Sequence, residues 1–161
     1  MREIDVTIEP FNESHQHSIN VLSREIQREF FIPFSSKDSK SISELSKDPN
    51  QKYWVALSHG KVIGTVGVVK IGENKGVLKR MFLKKGFRGQ EHKISHKLLQ
   101  LAIYYAMENG IKEIYLGTMT QFIAAQKFYV KQGFVQIKEE QLPKDFPANP
   151  QDTLFYMIAI S

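Results

Sequence analysis

The chain has 161 residues, with 22 Lys and Arg against 17 Asp and Glu, and no cysteine. That length suits one domain with a full-sized core. The missing cysteines exclude a disulfide framework, thiolate zinc sites and a cysteine nucleophile, and the net charge of +5 favours anionic partners without choosing among nucleic acid, acidic membranes and phosphorylated small molecules.

The opening VTIEP reads as a short strand carrying Val6 and Ile8. From Asn12 to Phe31, the residues Ile19, Leu22, Ile26 and Phe30 recur at helical spacing, and Pro33 ends the helix. A second short helix is expected over Ser39 to Ser46, with Ile42 and Leu45 on its apolar face. Tyr53 to Leu57, a His59-Gly60 turn and Lys61 to Ile71 form a hairpin. Gly64 and Gly67 in its second arm mark a bulge or a close backbone approach. After the ENKG turn comes a strand, then a helix from Gln90 to Asn109 that stops at Gly110. IKEIYL is a buried strand, and Phe122 to Gln132 is a helix closed by Gly133. Phe134 to Lys138 and Thr153 to Ile160 are strands, separated by the proline-rich LPKDFPANP. The order β-α-α-β-β-β-α-β-α-β-β describes a mixed α/β sheet with helices on its faces.

Residues 76–99, GVLKRMFLKKGFRGQEHKISHKLL, carry the most information. An apolar strand runs into a basic turn (Lys84, Lys85, Gly86, Phe87, Arg88, Gly89), and a helix begins at once, with Ile94, Leu98, Leu99 and Leu101 on one face. That arrangement aims backbone N–H groups, at the positive end of a helix dipole, toward an anion such as a pyrophosphate. The five histidines offer no metal set: His92 and His96 are four apart, without the further ligands a zinc site needs. No apolar run reaches the roughly 18 residues of a membrane span. The first ten residues lack a signal peptide's apolar stretch, so a cytoplasmic protein without a membrane partner is expected.

Two runs, Leu83-Lys84-Lys85-Gly86-Phe87-Arg88-Gly89 leading into Gln90-Glu91-His92-Lys93-Ile94-Ser95, and Ala125-Gln126-Lys127-Phe128-Tyr129-Val130-Lys131-Gln132-Gly133-Phe134, occur in this order about a helix and a strand apart. With the element order they resemble the GNAT superfamily of acetyl-CoA-dependent N-acetyltransferases over nearly the whole chain, residues 1–161 as a single domain. The first run is similar to the family's strand lead-in and Q/R-x-x-G-x-G/A turn, with Lys93 at the first glycine and Ser95 at the glycine/alanine. The second is similar to A-x-x-F-Y-x-K-x-G-F. The tail from Leu142 to Pro147, then Asp152, Phe155 and Tyr156, looks like that of a bacterial subgroup.

The resemblance implies a mixed, mostly antiparallel sheet of about seven strands flanked by about four helices, with splayed strands forming a cofactor cleft. It implies acetyl-CoA as co-substrate and a primary amine of a small molecule or peptide as acceptor. Met81, Phe82 and Leu83 would hold the pantetheine arm by their backbone, and Arg88, Gly89, Gln90, Glu91, His92, Lys93, Ile94 and Ser95 the pyrophosphate. Tyr129 takes the position of the general acid, since a phenol stays protonated at neutral pH and can donate to a leaving thiolate. Val77 stands where many members carry a glutamate base, and Phe122 where many carry an asparagine contacting the cofactor arm. No base is assigned; Glu25 and Glu29, a helical turn apart, either line an acceptor pocket or form a solvated face. Two other classes stay in view. One is a non-catalytic module that senses acyl-CoA; the other is an RNA-associated protein using Lys79, Arg80, Lys84, Lys85 and Arg88, although no nucleic-acid motif accompanies them. The oligomeric state is open, a homodimer included.

Overall fold

The computed structural model describes residues 5–32, 40–89 and 93–160. In chain order the strands are β1 (Thr7–Pro10), β2 (Gln51–Ser58), β3 (Lys61–Ile71), β4 (Lys75–Leu83), β5 (Glu113–Thr118), β6 (Val135–Ile137) and β7 (Leu154–Ala159). The helices are α1 (Gln16–Glu29), α2 (Ile42–Leu45), α3 (Ile94–Glu108) and α4 (Ile123–Lys131). The expected order of strands and helices is the observed one, with single 3-10 turns added at Glu13–His15 and Glu139–Gln141. The strands form one seven-stranded sheet in the order β1-β2-β3-β4-β5-β7-β6. β1 with β2, β5 with β7 and β6 with β7 are antiparallel, and β4 with β5 is parallel.

Two compact units divide the chain. The first holds residues up to Val68 together with Arg80–Ala102; the second holds Val69–Lys79 and Ile103–Ser161. In the first, Ile19, Leu22 and Ile26 of α1 are buried at helical spacing, and so are Tyr53, Val55 and Ala56 of β2. Gly67 answers the sequence expectation as a close approach: a Cβ there would lie 2.2 Å from Cε1 of the buried Tyr53 ring. Burial pushes the Tyr53 phenol up to about 12, and its hydroxyl donates to Gln51. Gly64 is a second close approach, where a Cβ would stand 2.9 Å from Leu83 and 3.3 Å from Leu98.

The helix ends have a common cause. In α3, the Ile111 N–H donates to the Ala106 carbonyl at 2.9 Å and the Gly110 N–H to Met107 at 3.3 Å, with Gly110 at φ 77°. In α4, the Phe134 N–H reaches Tyr129 at 3.0 Å and the Gly133 N–H reaches Val130 at 3.1 Å, with Gly133 at φ 104°. Both are Schellman closures on the glycines the sequence marks. α1 closes in the same way without glycine. The Ile32 N–H donates to Gln27 at 2.8 Å and the Phe31 N–H to Arg28 at 3.4 Å, with Phe31 at φ 56°. The expected stop at Pro33 lies outside the described residues; the helix has already ended at Glu29.

Two apolar faces differ from expectation. Phe30 caps α1 instead of continuing its buried stripe, and Phe31 is 92% exposed. On α3 the buried face is Ile94, Leu98, Leu99, Ala102 and Ala106, while Leu101 points outward. At 100° per residue, position 101 stands about 60° from 98 and about 100° from 102, at the edge of the buried stripe and not at its centre.

Candidate functional site

The strand–turn–helix lies in the first unit. Within β4, Arg80 adopts φ 53°, in the left-handed region. Such a residue inside a strand is a local disruption of the ladder of the kind a bulge makes. The Thr65 hydroxyl donates to the Arg80 carbonyl, and the Arg80 guanidinium donates to the Lys40 carbonyl at 2.8 Å. Beyond Arg80 the strand follows the ordinary alternation. The Phe82 carbonyl stands 3.1 Å from the Cβ position of Gly64 and the Lys84 N–H donates to the Ile63 carbonyl at 2.7 Å, so both face β3. By period two, the backbone groups of Met81 and Leu83 point away from β3. Arg88 Nε donates to the Leu83 carbonyl at 2.7 Å.

The turn is then drawn tight. The Phe87 N–H donates to the Lys84 carbonyl at 3.0 Å, and Gly86 and Gly89 take φ 99° and 128°, with open space where a side chain would be. The Arg88 fork grips both carboxylate oxygens of Glu29, at 2.7 Å for one, and lies 5.4 Å over the Phe30 ring. The hydrogen bond from Arg88 holds the Glu29 carboxyl below its usual range, against the opposing effect of burial. Lys84 pairs with Glu25 at 3.7 Å. The two glutamates of α1, which sequence left between pocket wall and solvated face, are therefore ion-pair partners of the basic turn. They also share with Lys84 and Lys85 the lining of a shallow groove.

Gln90, Glu91 and His92 lie outside the described residues. Lys93 is described, exposed and at φ 52°. Its carbonyl accepts the first helical bond, from the Lys97 N–H at 3.0 Å, so the N–H groups of Ile94 and Ser95 belong to the open end of α3. Glycine is the cheap residue in a left-handed conformation. Lys93→Gly is therefore expected to raise stability by about 0.5–1 kcal/mol, roughly 1–4 °C in Tm. A thermal melt showing no rise would mean that Lys93 carries no conformational cost there.

The second unit holds Tyr129. As the third residue from the end of α4 it accepts, on its carbonyl, the Phe134 N–H of the Schellman closure, and Phe134 meets its ring edge-on at 5.6 Å. Phe128 at 5.8 Å and Tyr156 at 6.2 Å complete the aromatic setting. The ring is buried, and its hydroxyl bonds to no described residue. Burial, with the charge of Asp152 adding to it, pushes the phenol well above its ordinary value. Val77 is 2% exposed and pairs with Tyr115 across β4 and β5, a core position with no proton-accepting group. Phe122 is the N-cap of α4.

Asp152 is the residue whose place sequence reasoning did not foresee. The Asn149-Pro150 turn sets it: the Gln151 N–H donates to the Asn149 side chain at 3.1 Å and the Asp152 N–H to the Asn149 carbonyl at 3.0 Å. The signal was an Asn-Pro turn two residues ahead of an acid, directly before a strand. Burial pushes its carboxyl up to about 6, while Lys79 draws it back down. Among the described residues no group of three His, Asp or Glu could hold a metal ion, and no helix is long and apolar enough to cross a membrane.

An open mixed sheet with a disrupted fourth strand feeding a basic turn and a helix mouth is the architecture of an acetyltransferase class. The chain belongs to the acetyltransferase (GNAT) family, whose model matches residues 19–134. A solved acetyltransferase of the GNAT family from Staphylococcus aureus Mu50 is 33% identical, with a TM-score of 0.90 over 97% of this chain and 99% of that one. The PaiA N-acetyltransferase from Thermoplasma acidophilum, solved with coenzyme A, shares the fold at 17% identity and a TM-score of 0.76, over 97% of this chain and 99% of that one. N-acetylaspartate synthetase from Xenopus tropicalis is 32% identical over 115 residues, 70% of this chain and 42% of that protein. The chain thus spans about two-fifths of the length of such curated relatives.

Proposed function

We propose that this chain is an acetyl-CoA-dependent N-acetyltransferase, folded as one acetyltransferase domain, that moves an acetyl group to a primary amine of a small molecule or peptide by direct attack. The observation that carries the reading is the left-handed Lys93 at the mouth of α3, a backbone conformation that glycine adopts cheaply, at the position matching the first glycine of the family's turn. A phosphate-bearing co-substrate fits the surroundings: Gly86 and Gly89 leave open space, Lys85 and Lys93 are exposed, and the first N–H groups of α3 are at hand.

Ile94 and Ser95 would hold the pyrophosphate by their backbone N–H groups, with Gly89 and Lys93 beside them. Met81 would give the extended pantetheine arm both a donor and an acceptor, as a strand edge receives a peptide; Leu83 would give its N–H, since Arg88 takes its carbonyl. Arg88 would act by bracing this turn against Glu29. Tyr129 would hold its proton until the sulfur leaves and then donate it. Holding the thioester beside the amine supplies much of the remaining acceleration. The absence of cysteine suits a reducing compartment, and the cytoplasm is the proposed setting.

The basic turn also bears on the nucleic-acid reading. Glu25 and Glu29 neutralise two of the cations that a phosphate backbone would need, which favours the small anionic co-substrate. The deciding experiment is release of free CoA thiol from acetyl-CoA across a panel of amines, polyamines and peptides. Turnover with at least one amine is expected. Binding of acetyl-CoA with no turnover would point to the sensing module, and tight RNA binding indifferent to excess CoA to the RNA-associated protein.

A further inference from the structure

We infer that Asp152 is the proton acceptor for the incoming amine, and that residue 117 is glycine in order to seat it. This rests on the acetyl-transfer reading above. The seat is specific. A Cβ on Gly117 would lie 2.5 Å from Asp152 Oδ2 and 2.8 Å from its Cγ, so the carboxylate rests directly on the β5 backbone. The Thr153 N–H donates to the Thr118 carbonyl at 3.0 Å and continues the β5–β7 ladder up to this point, fixing the chain on either side.

The carboxylate is not used by its own turn. It takes part in no hydrogen bond or ion pair with a described residue and caps no N–H of its own turn; the turn uses the side chain and carbonyl of Asn149 instead. A partly buried acid without a hydrogen-bond donor is costly, and the Lys79 charge offsets only part of the effect of burial; a folding role would have supplied a donor. The charged and titratable groups that act on it are Lys79 from β4 and Tyr129 from α4. The charge of Asp152 is thus felt at Tyr129, the group assigned the opposite proton transfer.

The protons balance. The ammonium of the acceptor gives one proton to Asp152, and the neutral nitrogen attacks the thioester carbonyl carbon. The N–C bond forms, the C–S bond breaks, and sulfur leaves with the electron pair and takes the phenolic proton of Tyr129. The second proton, shed by nitrogen as the amide forms, restores Tyr129; Asp152 releases its own to water. The two transfers assist each other. While Asp152 is charged it strengthens the hold of Tyr129 on its proton, and once it is protonated that hold weakens.

The test is the pH dependence of kcat/KM for the unmodified protein, Asp152→Asn, Asp152→Ala and Gly117→Ala, with acetyl-CoA and the primary-amine panel. A carboxyl that must be ionised gives a rate that falls as pH drops below about 6. Asp152→Asn is expected to lose on the order of 10²-fold at pH 7, to lose that acid limb, and to recover as pH approaches the amine's own pKa, where the acceptor arrives neutral. Its Tm rise with acetyl-CoA should match that of the unmodified protein. Asp152→Ala makes the same test without a polar group on Gly117, and Gly117→Ala, which displaces the acid, should lose the limb as well. An active protein whose Asp152 variants keep both rate and profile overturns this inference alone. Absence of turnover from the unmodified protein with every amine overturns the acetyl-transfer reading and this inference with it.

Discussion

Tyr129→Phe is expected to slow acetyl transfer on the order of 10²-fold while leaving acetyl-CoA binding nearly unchanged. The substitution removes one oxygen that bonds to no described residue, so no partner is orphaned. The ring keeps its contacts with Phe128, Phe134 and Tyr156, and the backbone closure of α4 does not depend on the hydroxyl. The loss should appear in kcat, because a proton delivered to the leaving sulfur is an interaction of the transition state. CoA thiol release measures the rate, and the cofactor-induced Tm shift measures binding. A variant as fast as the unmodified protein would mean that the thiolate leaves unaided or takes its proton elsewhere.

Ser95→Glu is expected to abolish acetyl-CoA binding. At a concentration about 100 times Kd, a ligand stabilises the native protein by about 2.7 kcal/mol, roughly a 5–10 °C rise in Tm for a domain of this size. Ser95 lies in the first turn of α3, where a carboxylate interacts favourably with the helix dipole, so the variant should fold at least as well as the parent. The same carboxylate competes for the N–H groups a pyrophosphate would use and repels its charge. Retention of the full Tm rise would place the phosphates away from α3.

How far the sequence reaches is visible at particular residues. Gly110 and Gly133 stop α3 and α4 where they were read to, because a left-handed residue after a helix is a local requirement that glycine meets cheaply. Phe31 makes the same closure and carries no such signal. Leu101 was read onto the buried face of α3; it stands at the edge of that face and is 38% exposed. Arg88 could be read only from its motif; its partner Glu29 is 59 positions away, a pairing that no window of sequence encloses.

By itself the sequence determined the order of strands and helices, the family, and the strand–turn–helix that invites an anion. These depend on periodicity, glycine placement and short motifs, all of which act within a few residues. Only the tertiary structure decided what the charges are for. It joined Glu25 and Glu29 to the basic turn, set Lys93 in a left-handed conformation, and laid the Asp152 carboxylate on Gly117. The physical reason is that the role of a charge depends on what lies within a few ångströms of it, and for Glu29 and Asp152 those neighbours come from distant parts of the chain.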